Sequence, residues 1–113
     1  MSELQEVNGI MNRWIDESSA AESIYENKKM RMCVYCGLIF KQRRMSAFSV
    51  DDVMMHNSVM FDDVNELAAL LLELTSRGVL EQVDKAGLTK WRLSSFGMRV
   101  APFLGAHEMA NLS

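Results

Sequence analysis

The chain has 113 residues, 49% of them hydrophobic, and a formal net charge of −3 at pH 7. A chain of this length and composition buries enough apolar surface to form one domain around a single core. Its apolar runs are shorter than the roughly 18 to 20 residues that span a bilayer, and its start lacks the basic and apolar regions of a signal peptide. We therefore expect a cytoplasmic protein with no membrane partner.

The charges fall in blocks along the chain. Residues 1–26 carry six acids and one arginine, residues 27–50 carry six bases and no acid, and residues 51–82 carry seven acids and one arginine. Because charges act over a Debye length of ~8 Å, these blocks matter more than the total. The simplest interpretation is that acidic and basic helices face each other within one domain. The alternative is a basic surface for nucleic acid.

The first segment, residues 1–26, predicts an amphipathic N-terminal helix. Its apolar residues recur at three- and four-residue steps with acids at other positions: Leu4, Val7, Met11 and Trp14. Ser18 and Ser19 either interrupt this helix or begin another, because serine competes for local backbone hydrogen bonds. Such a helix either caps the core or pairs with its copy in a homodimer, and the sequence favours neither.

Residues 27–113 predict the main domain, which begins with two helices. The spacing of Met30, Val34 and Leu38 predicts a helix from about residue 27 to residue 45, basic at both ends. Ser49 followed by Asp52 resembles a capping box and predicts a short helix from about residue 50.

A third helix, a hairpin and a final helix complete the domain. Apolar residues at helical spacing predict a helix over residues 61–77 that ends at Gly78. Its inward-facing residues are expected to be Val64, Leu67, Leu70, Leu71 and Leu74. Residues 79–83 and 88–93 predict two strands, and Ser94 or Ser95 caps the helix that follows. The predicted fold is mainly α with a small β-hairpin wing, that is, a winged helix-turn-helix preceded by an N-terminal helix.

The segment after the predicted hairpin supports a family comparison. Trp91-x-Leu93-Ser94-x-x-Gly97, followed by an apolar helix containing Ala101-Pro102-Phe103-Leu104, resembles the segment after the wing in bacterial regulators of the MarR and HxlR classes. The clear match covers about residues 78–104, and the order of elements extends it back to about residue 28. The resemblance implies a DNA-binding transcription regulator of the winged-helix superfamily, often dimeric.

Under that resemblance, the wing and the outer face of the 61–77 helix would contact DNA. The candidate DNA-binding residues comprise three wing bases, one helix residue and four bases that would extend the footprint: Lys85, Lys90 and Arg92; Asn65; and Lys28, Lys29, Arg43 and Arg44.

The same helix also favours an alternative function, because it carries acids where a DNA reader usually carries bases. Carboxylates next to phosphates lower the affinity for DNA unless they accept a bond from cytosine N4. The alternative is a protein-interaction module, an adaptor or inhibitor, that does not bind DNA. It would capture a basic protein partner with the acidic residues of this helix: Asp62, Asp63, Glu66 and Glu73. A further interpretation is that Asp62 and Asp63 only cap the helix.

The remaining motifs predict no catalytic or metal chemistry. Cys33 and Cys36 have the spacing of half a zinc finger, but His56 and His107 lie too far apart to complete one. A redox pair should follow a strand, whereas these cysteines sit inside a helical pattern, so we expect buried structural thiols. No phosphate-binding loop or catalytic triad order is present in the sequence. We therefore expect a protein that is not an enzyme and needs no cofactor.

Overall fold

The computed structural model describes residues 16–112, so the predicted apolar stripe from Leu4 to Trp14 lies outside the described residues. Within them the chain forms five helices and one antiparallel hairpin. The helices are α1, described over residues 16–26, α2 (Lys28–Gln42), α3 (Val50–His56), α4 (Val64–Ser76) and α5 (Ser95–Leu112); the strands are β1 (Leu80–Lys85) and β2 (Leu88–Leu93). This is the predicted winged helix-turn-helix with a preceding helix, mainly α with a small β-hairpin wing.

The predicted helix starts are explained by side chains that cap them. Ser49 and Asp52 form the predicted capping box, with the Ser49 amide donating to Asp52 Oδ2 at 2.8 Å and the Asp52 amide donating to Ser49 Oγ at 3.2 Å. Asp63 caps α4 by accepting bonds from the amides of Asn65 and Glu66. The predicted start at residue 61 was therefore three residues too early, because Asp63 stops the helix from extending backwards.

The predicted end of α2 was also displaced. The helix ends at Gln42 rather than near residue 45. Arg44 has a φ of 63°, a left-handed conformation that a helix cannot continue through. The chain then extends to Phe48, whose amide and carbonyl both pair with Trp91 of β2 at 2.8 Å. This single bridge adds a third strand position to the wing, and the sequence did not predict it.

The core lies between α4, α2 and the inner face of the hairpin. Leu67, Leu71 and Leu74 are fully buried, as predicted for the inner face of α4. Val64 is 50% exposed, so its predicted inward position was wrong. Phe61, just before the helix, is buried in the core instead.

The part of α1 that the structure describes joins the same core. Ala21 and Ile24 are fully buried, and the buried carboxylate of Glu17 accepts a bond from Arg99 of α5. Residues 16–26 are helical throughout, so Ser18 and Ser19 neither break the helix nor begin a new one.

The start of α5 is fastened to the hairpin by Ser94. Its hydroxyl accepts a bond from the Gly97 amide at 2.9 Å and donates to the Val79 carbonyl at 3.0 Å, so Ser94 rather than Ser95 is the cap. Trp91 is 4% exposed and packs in the core, which is how the wing is attached to the body of the domain. None of the helices in residues 16–112 has the length and apolar character needed to cross a bilayer.

Candidate nucleic-acid interface

The helix-turn-helix is built from α3, the turn at residues 57–63 and α4. Asn57 organises the turn: its side-chain oxygen accepts from the Met60 amide at 3.2 Å, and its carbonyl accepts from the Phe61 amide at 3.1 Å. Phe61 anchors the turn in the core, and Asp63 then begins α4. The first turn of α4 is thereby held at the molecular surface, where it can reach a ligand.

The outward face of α4 is uncharged along its middle. Four exposed residues of one stripe recur at three- and four-residue steps: Asn65, Ala69, Leu72 and Ser76. Glu66 and Glu73 are exposed beside this stripe. Val64 and Leu72 are 50% and 53% exposed. Asn65 is accessible, as its predicted role requires, and its side-chain amide is the polar group on this face nearest the start of the helix.

The acids of α4 have partners within the protein. Asp63 is occupied as the helix cap, and Glu66 forms a salt bridge with Lys29 at the start of α2. The hydrogen bond to Glu66 raises the pKa of Lys29, and the charges of Asp62 and Asp63 raise it further. Glu73 accepts a bond from Arg77 at 3.0 Å, and Arg77 also donates to Ser23 of α1 at 2.9 Å. The sequence predicted that acidic and basic helices face each other, and the salt bridge between Lys29 of α2 and Glu66 of α4 is such a contact.

The wing presents its bases on the face directed away from the core. Side chains alternate along a strand, and since Trp91 and Leu93 are buried, Lys90 and Arg92 lie on the opposite face. Arg92 pairs with Glu81 across the hairpin at 2.9 Å. Lys90 lies opposite Val83 and forms no salt bridge with another described residue.

The hairpin turns at Ala86 and Gly87, whose φ values of 52° and 77° are those of a tight turn with two left-handed residues. The backbone of Lys85 pairs with Leu88 beside this turn, and its side chain lies outside what the structure describes.

The four other candidate bases separate into two groups. Lys28 and Lys29 lie at the start of α2 and border one surface depression together with Asn57 and Asp62 of the helix-turn-helix. Arg43 and Arg44 follow the opposite end of α2, roughly 22 Å away along a helix of this length. The structure therefore brings Lys28 and Lys29 beside the helix-turn-helix and leaves Arg43 and Arg44 apart from it.

Two features of this surface were missed by the sequence reasoning. Met55 and Val59, next to and within the turn, are 84% and 95% exposed, so apolar side chains surround the start of α4. Lys41 lines a cavity together with Arg92 of β2, 51 positions later in the sequence. Periodicity predicts which face of a helix is buried, but it carries no information on which distant strand lies beside it.

Comparison with protein-family models finds no match, and comparison with curated proteins finds none either. Among solved structures, the crystal structure of a MarR family transcription regulator matches with a TM-score of 0.61 and 16% sequence identity, over 96% of this chain and 72% of that one. The chain has a MarR-like winged-helix fold.

At 16% identity the similarity concerns the fold alone. It confirms the resemblance that was based on residues 78–104 and the order of the elements. The matched protein is a transcription regulator rather than an enzyme. In the MarR-like winged helix described here, α4 is the second helix of the helix-turn-helix and the hairpin is the wing.

Proposed function

We propose that this protein is a transcription regulator that binds DNA through the start of α4, the start of α2 and the wing. The observation that carries the proposal is the engagement of the α4 acids. Asp63 caps the helix and Glu66 is paired with Lys29, so both carboxylates have partners within the protein. This weakens the main objection raised by the sequence, which was repulsion between α4 and the phosphates.

The bases that no acid holds supply the phosphate contacts. Lys28 and Lys90 form no salt bridge with another described residue, so their charges are available to phosphates. Lys85 at the wing turn is a further candidate for a phosphate contact, and Lys29 and Arg92 contribute less because Glu66 and Glu81 hold them. Arg43 and Arg44 extend the footprint at the far end of α2. Such contacts fix the position of the protein on DNA without reading sequence.

The outward face of α4 contacts the DNA bases. The amide of Asn65 pairs well with the N6 and N7 edge of adenine in the major groove. Val64 and Leu72, both about half exposed, match the methyl group of thymine. This combination favours an operator rich in A·T base pairs at the positions facing α4.

The first experiment removes charge from α4 without removing its cap. Asn caps helices as well as Asp does, so Asp63→Asn keeps the start of α4 and deletes one negative charge. Glu66→Gln releases Lys29 from its salt bridge. We expect the double variant to bind duplex DNA more tightly than the wild type in fluorescence anisotropy at ~100 mM salt, where a specific complex is measurable.

The complementary experiment removes bases from the interface. Lys28→Ala with Lys90→Ala should weaken binding to all duplexes alike and reduce the salt dependence by roughly one unit per lost phosphate contact. Lys90→Arg is the matched control, because it keeps the charge and should keep the salt dependence. A wild-type protein that binds no duplex at ~100 mM salt would overturn the proposal.

A second candidate function is a protein-interaction module that captures a basic partner. The exposed Val64 and Leu72 favour it, because a groove-facing helix rarely carries large apolar side chains beside acids such as Asp62 and Glu73. Under this function Asp63→Asn with Glu66→Gln weakens binding of the partner and leaves the protein without affinity for DNA. The two functions thus assign opposite effects to one double variant.

A further inference from the structure

Glu66 of α4 is held in place by a residue of another helix. It lies in the first turn of α4, three residues after the Asp63 cap. Its Oε1 accepts a bond from the ammonium of Lys29 in α2. Both side chains remain reachable from solvent, since 39% of Lys29 and 44% of Glu66 is exposed. The carboxylate is therefore oriented by α2 and still open to a ligand.

The salt bridge leaves one oxygen of this carboxylate as an acceptor. Glu66 Oε2 accepts no hydrogen bond from another described residue. An ionised carboxylate has acceptors and no donor, so a partner of Oε2 must supply an N–H or O–H group. The ammonium of Lys29 balances the negative charge of Glu66, which lowers the repulsion from phosphates nearby. The pair thus presents a fixed acceptor with little net charge.

Glu66 lies at the edge of the outward stripe of α4. Successive residues of a helix are about 100° apart, so Glu66 is displaced by that angle from Asn65. The contact with Lys29 shows that the displacement is towards α2. In helix-turn-helix proteins, the residues near the start of the second helix reach the edges of the bases. On DNA, Glu66 would therefore meet a base pair next to the one that Asn65 faces.

The four bases differ in what they offer to an acceptor in the major groove. Cytosine presents the donor N4, whereas guanine presents the acceptors O6 and N7 and thymine presents the acceptor O4. Adenine presents a donor at N6 but carries the acceptor N7 beside it, which repels a carboxylate oxygen. A fixed carboxylate therefore favours cytosine.

We propose that Glu66 selects cytosine at one position of the DNA site and that Lys29 is the positioning residue that orients it. The proposal rests on the DNA-binding function proposed above and adds a base that the A·T contacts of Asn65, Val64 and Leu72 do not read. The amino group at N4 donates to Oε2 while Lys29 continues to donate to Oε1. The carboxylate that lowers the affinity for most sequences thus raises it for one base.

The test is a selection of binding sites from a randomised duplex library with the full-length protein at ~100 mM salt. Glu66→Gln keeps the length of the side chain but adds donors, and glutamine pairs with the N6 and N7 edge of adenine. Glu73→Gln is the matched control, because Glu73 is an exposed acid of the same helix, is held by Arg77 and lies about two turns further on. Lys29→Met removes the positioning contact alone.

We expect one position of the wild-type consensus to prefer cytosine about tenfold, the discrimination expected for a hydrogen bond to a charged group. Glu66→Gln should change that preference to adenine and leave the other positions as they are, whereas Glu73→Gln should change none. Lys29→Met should reduce the cytosine preference at the same position. The removal of charge by Glu66→Gln raises the affinity for all duplexes alike, so it cancels in this comparison of bases.

The possible failures are distinguishable. A wild-type protein that enriches no duplex would overturn the DNA-binding function and this inference together. A wild-type consensus that Glu66→Gln reproduces would overturn the inference alone, and so would a change that Glu73→Gln causes equally. Full cytosine preference in Lys29→Met would contradict the positioning role. The unchanged positions of the Glu66→Gln consensus show that this variant is folded.

Discussion

Cys33 and Cys36 are buried one helical turn apart on α2 as free thiols. Burial raises the pKa of both, to about 12 for Cys33 and about 11 for Cys36, with the charge of Cys36 adding to the effect on Cys33. The thiolate is the reactive form, so both side chains are chemically inert near neutral pH. Among the described residues, no group of three or more metal-ligating side chains surrounds them.

This burial predicts slow reaction with thiol reagents. At pH 8 a pKa of about 11 in place of 9.0 lowers the thiolate fraction roughly 100-fold or more, before the shielding by the core is counted. The native protein should therefore react with a disulfide reagent far more slowly than the chain unfolded in urea, in which both thiols react at once. Rapid labelling of either cysteine in the native state would contradict the buried positions on α2.

The same pKa values set the sign of a pH effect on stability. Between pH 9 and about 11 to 12 the unfolded chain ionises its cysteines while the folded protein keeps them protonated. This contribution to stability is fully present below pH 9 and is lost as the pH rises through that window. The urea midpoint should fall more between pH 8 and pH 10.5 for the wild type than for Cys33→Ala with Cys36→Ala, which supplies the control for other titrating groups.

At the scale of elements, the start of α5 packs closely against the chain just before β1. A Cβ built at Gly97 would lie 2.1 Å from the carbonyl oxygen of Val79, a distance that no side chain tolerates. Ser94 holds the same two segments together by bonding both the Val79 carbonyl and the Gly97 amide. The Leu-Ser-x-x-Gly pattern thus indicates a helix whose first turn packs directly against the backbone of another segment, here at Val79.

Gly97→Ala should destabilise the protein by about 1 to 3 kcal/mol or more, because the clash is with backbone and can be relieved only by moving α5. Gly105→Ala is the matched control on the same helix, where a Cβ meets no atom within 4 Å. That substitution should be neutral or stabilising by up to ~1 kcal/mol through helix propensity. Urea midpoints of the two variants measure the difference, and similar midpoints would show that the approach of α5 to Val79 is looser than described.

At the scale of the whole molecule, the question is whether the N-terminal segment joins two copies of the chain. The described part of α1 contributes Ala21 and Ile24 to the core and Glu17 to the salt bridge with Arg99. The predicted apolar stripe from Leu4 to Trp14 precedes that part, and we propose that it pairs with its copy in a homodimer.

Deleting residues 1–15 should convert a dimer into a folded monomer, because the deletion spares the α1 residues that pack in the core. Light scattering measures the mass of both proteins, and circular dichroism checks that the shortened chain keeps its helices. A shortened chain that stays dimeric would place the dimer contact elsewhere. A monomeric full-length protein would assign the segment to capping.

The sequence by itself determined the identity and order of the elements. The spacing of Leu67, Leu71 and Leu74, the capping box of Ser49 and Asp52 and the turn before Leu88 are local signals, and each predicted an element that the structure contains. Local signals suffice for this because periodicity and caps depend on residues fewer than about eight positions apart. Local signals placed the helix boundaries less well. The sequence offers both Asp62 and Asp63 as caps for α4, and in the structure Asp63 is the cap.

The tertiary structure alone decided which charges of distant segments meet. Lys29 and Glu66 are 37 positions apart, and Glu17 and Arg99 are 82 apart, so no periodic pattern relates them. The same is true of the cavity shared by Lys41 and Arg92 and of the bridge between Phe48 and Trp91. Composition set the number of acids on α4, but only the packing of α2 against α4 determined that Glu66 is neutralised by Lys29. The physical reason is that side-chain pairing depends on distances between elements, which are set by how the whole core packs.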